Sequence, residues 1–381
     1  MLVWDRLVFS LYFYFSTNRQ ITGNLRNQYF YATTYRTGVP REPTFVPTAF
    51  AQHWIRAGRP AHRRESGSYF PTAPPTARLT ALGARHVTLS GADATLFMQN
   101  PALLDTAKVD QLSMTYMPYL ADTRFVSMAF AHEFGEMRGV WAGGIQYFNY
   151  GTMVETDDLG NPVGEFRAAD YSLSVGYGNT IQNITIGGAL KLVGSSLASY
   201  QLWGLALDWG AVFRHPTRDL TAGFVVKNLG FLKQNYAGGE VPPLPFDLRI
   251  GVTFKPEYAP LRLSLTAHHL NSFDMVYNDP ALFYDFDANG NRIPRKTNLP
   301  EKFLRHLTLG TEILIHPTFR LMLGYDHLLR QELRLQDMGG FSGFSFGAWL
   351  RIKRFELAYG RAQYHAGMAA NTFSFNLNLK K

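Results

Sequence analysis

Beyond about residue 110 the chain alternates apolar and polar positions with period two. The clearest stretch is 203–213. Trp203, Leu205, Leu207, Trp209, Ala211 and Phe213 form one face, and Gly204, Ala206, Asp208, Gly210 and Val212 the other. That period marks a β-strand, and a length of about eleven residues suits a tilted strand crossing a bilayer. The first face is large, with aromatics at both ends; the second is small and carries a carboxylate. A soluble sandwich would bury the large face. An outer-membrane barrel turns it to lipid and lines the lumen with the small polar one.

The same pattern predicts fourteen strands: 111–117, 123–134, 138–149, 167–178, 181–193, 201–213, 220–227, 246–254, 261–269, 303–315, 319–328, 342–352, 355–361 and 372–379. Connections after the even-numbered strands are short and rich in turn residues, such as Gly178-Asn179, His215-Pro216 and Lys255-Pro256. Those after strands three, seven, nine and eleven are long, which predicts extracellular loops at 150–166, 228–245, 270–302 and 329–341. An even strand count then places both chain ends on the periplasmic side. The polar faces predict lumen charges at Asp170, Lys191, Asp208, Lys227, Arg249, Arg262, Glu312, Arg320, Asp326, Arg351 and Glu356. Facing lipid, each would cost several kcal/mol near the midplane. Both signs are present, which predicts a paired network rather than an ion-selective pore. The predicted fold is all-β: a single fourteen-stranded antiparallel transmembrane β-barrel with a small N-terminal lumen plug.

Composition agrees with a barrel. Of 381 residues, 14% are aromatic, 34 are glycine and only 17% are charged. No run of eighteen apolar residues marks a membrane-spanning helix. Cysteine is absent, which excludes disulfides, thiolate metal sites and a cysteine nucleophile. The net charge of +8 invites a nucleic-acid reading, but residues 1–65 hold nine arginines against three acids. The barrel region is therefore close to neutral, and no nucleic-acid partner is expected.

Three regions follow: an N-terminal extension 1–66, a lead-in or plug segment 67–110, and the barrel 111–381. The extension has a short apolar patch, Leu7–Phe15, then scattered Arg, Pro and Thr. Asp5 and Arg6 interrupt any signal-like run. It reads either as an atypical targeting or basic interaction tail or, the favoured reading, as a start placed too far upstream or one that misses the true signal, and it is expected to be poorly ordered. In the second region Asp93–Gln99 predicts one or two helical turns, with Asn100 held extended by Pro101. That compact segment reads as a lumen plug; a simple lead-in loop is the plainer alternative.

No catalytic, cofactor or metal site emerges. Asp285–Gly290 opens like a calcium loop, but its twelfth position, which must be an acid, is Lys296. Asp157–Asn161 reads as a similar turn. His268 and His269, adjacent on a strand, would point to opposite faces and could not share a metal. No nucleophile elbow or phosphate loop occurs, and the chain is not expected to be an enzyme.

With the strands laid out, a resemblance is visible. Gly143–Gly151 (GGIQYFNYG), Ala168–Tyr171, Pro245-Phe246-Asp247, His268-His269-Leu270, Phe303–Leu307, Arg330–Leu333 and Tyr359–Ala362 occur in order over residues 70–379. Together they resemble the PorQ family, outer-membrane barrels of the type IX protein secretion system of Bacteroidota. Leu82, Gly83, Asn100, Pro101 and Ala102 are similar to the plug pattern of the wider family that includes PorV and the long-chain fatty-acid transporters. The resemblance implies a non-enzymatic component of the surface attachment complex. Such a protein holds a PorZ-like partner near the sortase PorU and PorV, where cargo is joined to lipopolysaccharide. The rival expectation is transport of a hydrophobic small molecule across the outer membrane, which needs an apolar lumen pocket and a lateral opening. A third is a diffusion porin, which needs an open lumen.

Overall fold

The computed structural model describes residues 10–13, 31–33, 73–119, 123–135, 139–157, 161–197, 200–234, 243–273, 275, 284–286, 292–294, 298–332, 340–365 and 368–380. Fourteen antiparallel strands close into one barrel. They are β1 Gln111–Pro118, β2 Arg124–His132, β3 Val140–Thr156, β4 Pro162–Ile181, β5 Ile184–Leu197, β6 Tyr200–Arg214 and β7 Leu220–Gln234. The series continues with β8 Asp247–Phe254, β9 Leu261–Ala267, β10 Leu307–His316, β11 Phe319–Asp326, β12 Phe344–Ile352, β13 Phe355–His365 and β14 Met368–Asn378. Each pairs with the next, and β14 returns to β1 from Phe373↔Tyr116 to Asn378↔Gln111. Closure satisfies the backbone of every strand on both sides, the condition for a sheet to sit in hydrocarbon. No helix among the described residues is long and apolar enough to cross a membrane.

The two faces separate as the alternation predicts. On β6, Leu207 and Trp209 are 45% and 46% exposed on the outside, whereas Asp208 between them is fully enclosed. Tyr171, Leu173 and Val175 on β4 likewise point outward, over buried Asp170, Ser172 and Ser174. The oily side faces out, as in a transmembrane β-barrel of the outer-membrane type.

One rim has only short connections; Gln182-Asn183 joins β4 to β5 and Lys353-Arg354 joins β12 to β13. The opposite rim carries the long connections between β7 and β8, β9 and β10, and β11 and β12. It differs from expectation at 150–166. Instead of a loop, β3 and β4 run on as a paired hairpin, with Met153↔Phe166 and Val154↔Glu165. Beyond the wall neither face needs to be apolar, so the period fades while the pairing continues. Asp157 closes the hairpin by accepting the Asn161 N–H at 2.8 Å. Short strands Ser10–Phe13 and Tyr31–Thr33 pair with each other, and Tyr12↔Val154 and Phe13↔Glu155 join them to this hairpin. The remainder of the 1–66 extension lies outside the described residues, as do Lys296 and all of 287–291.

Two expected strands are shorter. The stretch beginning at Phe303 opens as helix Leu299–Leu304, and β11 stops at Asp326 before helix His327–Glu332. There the Asp326 carboxylate accepts the Leu329 N–H at 3.0 Å, an N-cap that diverts the chain into a helical turn.

Residues 73–110 fill the lumen. They form helix Ala77–Ala81 and the 3-10 turns Ala94–Met98, Pro101–Leu103 and Thr106–Lys108. Asp93, Asn100 and Asp105 cap these turns, each accepting the N–H two residues on. Leu79, Leu82, Leu89, Leu96 and Leu103 pack with Val212, Met322 and Trp349 of the wall. Phe97, Met98 and Leu104 pack with Ala129, Ala142 and Ala189. The barrel thus has a hydrophobic core made largely by its plug.

Candidate functional site

The site is the plugged lumen, and small wall residues make it possible. Inward-facing glycines line up across neighbouring strands: Gly178↔Gly187↔Gly210, Gly223↔Gly251, Gly310↔Gly324 and Gly347↔Gly360. A Cβ would meet the Leu104 carbonyl oxygen at Gly178, Pro101 at Gly187, Val87 at Gly251 and the Ala81 methyl at Gly347. The plug therefore lies against bare backbone over much of the circumference. On the plug side Gly83 adopts φ 95°, open to glycine at no steric cost, with Thr308 of β10 filling the space of a side chain.

Charged and polar groups lock this contact. Arg78 donates from Nε to Glu312 Oε1 at 2.8 Å and from a terminal nitrogen to Oε2 at 3.0 Å. Both groups are buried, the setting in which a two-pronged pair is most exacting. Burial opposes the Arg78 charge, but Glu312 outweighs it and holds the guanidinium above its ordinary pKa. Arg85 donates to Asp326 Oδ2 at 2.7 Å. His86 bridges in its neutral form: Nε2–H donates to the Leu82 carbonyl at 2.8 Å, and Nδ1 accepts the Thr266 hydroxyl at 2.9 Å. Burial pulls its pKa down to about 4. Lys227 reaches the Met98 carbonyl and Gln99 Oε1 at 3.0 and 3.1 Å. Arg214 ties Asp105 at 2.6 Å near the short-turn rim.

All eleven predicted lumen charges face inward. Lys191 pairs with Asp208, Arg262 with Glu312 at 3.4 Å, and Arg351 with Glu356 at 2.8 Å. Arg249 pairs at 2.6 Å with Asp247, on the same face two residues before. Asp170 accepts the Tyr150 hydroxyl at 2.6 Å. Arg320 lies 4.2 Å over the Trp349 ring. Among the plug positions, Leu82, Asn100 and Ala102 are fully enclosed; Asn100 also donates to the Val87 carbonyl at 2.9 Å. Pro101 sits against Gly187. Sequence reasoning missed Arg78, Arg85, His86 and Asp247. Their signal was available only in part: basic residues flanking Leu82-Gly83, and an acid already on an inward face.

His268 and His269 depart from expectation. Both are buried, with Nδ1 atoms 2.7 Å apart, instead of lying on opposite faces. His269 takes φ 53° and leaves the strand, and its N–H donates to Asp247 at 2.7 Å. Among the described residues no group of three His, Asp or Glu side chains is placed to hold a metal.

The long-loop half of the lumen holds a second apolar cluster: Ala73, Met117, Phe125, Phe148, Leu329, Ala362 and Ala370, with Tyr119 and Tyr150 against it. The described part of the plug thus runs from Ala73 in that half to β1 at the opposite rim.

No known family profile and no curated protein matches the sequence. Solved structures give low-level likenesses. The toluene transporter TbuX of Ralstonia pickettii is 12% identical, with a TM-score of 0.44 over 80% of this chain and 98% of that one. A Pseudomonas aeruginosa FadL homologue is 11% identical, with a TM-score of 0.43 over 80% and 98%. The TodX monoaromatic hydrocarbon channel is 12% identical, with a TM-score of 0.42 over 81% and 98%.

Proposed function

We propose that the protein is a non-conducting outer-membrane anchor of the type IX secretion system, acting through its long-loop rim. The observation that carries this reading is the plug: Arg78–Glu312 and Arg85–Asp326 hold it across the lumen. Breaking such a buried pair to open a path would cost about 3–5 kcal/mol. What remains available is the rim, where the β3–β4 hairpin projects and the longest connections emerge. In this reading the long loops are extracellular, the start of β1 and the end of β14 are periplasmic, and the outer face meets outer-membrane lipid. The rim holds a PorZ-like surface protein beside PorU and PorV, with no chemical step in this chain. Shortening 270–302 tests it. The partner should leave the surface while the barrel still assembles; unchanged retention would refute the loop's role.

A second reading, transport of a hydrophobic small molecule, is favoured by the apolar cluster at Met117, Phe125 and Phe148. It would give this chain cargo of the kind named for TbuX and TodX. The closed ring of neighbouring strands speaks against it, although the β6–β7 register breaks between Leu207 and Trp209. Native copurification separates the two: bound lipid or hydrocarbon supports transport, and bound surface proteins support anchoring.

A further inference from the structure

The inner wall at the short-turn mouth, over β9 to β13, gathers more positive than negative charge. Arg262 stands opposite Glu312, Arg320 opposite Trp349, and Arg351 opposite Glu356. The carboxylates there are already engaged. Glu312 holds Arg78 in both prongs and touches Arg262. Glu356 holds Arg351 and accepts the Trp349 indole N–H at 3.3 Å. Asp219, half-exposed at the rim, takes the other end of Arg262 at 2.9 Å.

Arg320 is left without a carboxylate among the described residues. Its guanidinium lies on one indole, 4.2 Å from the centroid, and Arg351 lies 5.1 Å from the same ring. The strongest charges acting on it are Arg78, Glu312, Arg262 and Arg351. The Nε–H of Arg262 is buried and has no hydrogen-bond partner. Crowded, partly desolvated guanidiniums and an unmet donor are costly unless an anion completes the set. Planar forks of N–H donors suit the oxygens of a carboxylate or phosphate.

We propose that this wall binds a single small oxyanion, carboxylate or phosphate, on a molecule entering from the short-turn mouth, with Arg320 and Arg262 as its ligands. The site lies on the opposite side of the plug from the loop rim and does not depend on the anchoring role. Trp349 backs the Arg320 guanidinium, and Arg351 adds charge at the entrance.

The test uses the full-length barrel in zwitterionic detergent at low salt, titrated calorimetrically with inorganic phosphate, acetate and octanoate. Saturable binding of at least one anion is expected, weakened about tenfold or more in Arg320→Gln. Arg218→Gln removes an exposed arginine of the β6–β7 turn at the same rim, and should bind as wild type. Octanoate binding far above acetate would point to an amphiphile carboxylate; phosphate binding above both would point to a free or esterified phosphate. As a second readout, thermal unfolding of wild type should rise with the bound anion, and that of Arg320→Gln should not. Absence of saturable binding by all three anions, or equal affinity in Arg320→Gln, would overturn the proposal.

Discussion

Arg78 in the plug and Glu312 on β10, 234 positions apart in the chain, meet through two hydrogen bonds inside a closed lumen. This contact makes the plug and wall one folding unit, because neither charge could be left alone at that depth.

Glu312→Ala is therefore expected to lower stability by about 3–5 kcal/mol, read as a lower unfolding midpoint in denaturant. The double change Arg78→Met with Glu312→Leu should recover most of that loss, since both charges go together. If the double variant were as unstable as the single one, the pair would not be the fastening point.

The glycine belt gives a second expectation. A Cβ at Gly324 would collide with the Leu82 carbonyl carbon and the Gly83 nitrogen. Gly324→Val should cost about 1–3 kcal/mol by overpacking and shift the plug. Planar-bilayer recording should then show more current than wild type. A silent, fully stable variant would mean that the plug has slack.

Wall orientation is tested at mid-strand. Leu207→Arg places a charge on the outward face and should cost about 2–4 kcal/mol of folding into vesicles. Asp208→Asn, one residue away on the inward face, should leave that assignment untouched and act through loss of its Lys191 pair. Equal insertion of Leu207→Arg and wild type would contradict the lipid-facing assignment.

His86 predicts an acid response. Its folded pKa of about 4 lies below the unfolded value near 6.5, so the unfolded chain takes up the proton first. Stability from this group is complete above about pH 6.5 and falls as pH drops towards 4, by at most about 3 kcal/mol. The difference in unfolding midpoint between wild type and His86→Asn should narrow across that window. A difference independent of pH would remove the imidazole as its cause.

Much of the wall was legible in the sequence because a strand with one face in lipid must alternate. Leu207, Asp208 and Trp209 alone distinguish the sides. The β3–β4 extension was not legible, since residues above the wall are wet on both faces and lose the period. His268 and His269 misled for a local reason: His268 keeps the inward face of Thr266, and the left-handed backbone at His269 brings the second ring in beside it. The lumen set was visible as polar positions, but its pairing was not. Arg78 finds Glu312, and Pro101 finds Gly187, only when the sheet has curled; nothing near either residue in sequence announces the partner. Glycines that read simply as a small face are the plug's contact surface.

The plug's path dictates an order of assembly. Ala73 packs in one half of the lumen and Gln111 begins β1 at the other rim, with the belt of bare backbone leaving no clearance between. A finished cylinder could not be loaded afterwards. The segment must already lie on the open sheet as it rolls up, and the meeting of β14 with β1 seals the seam behind it.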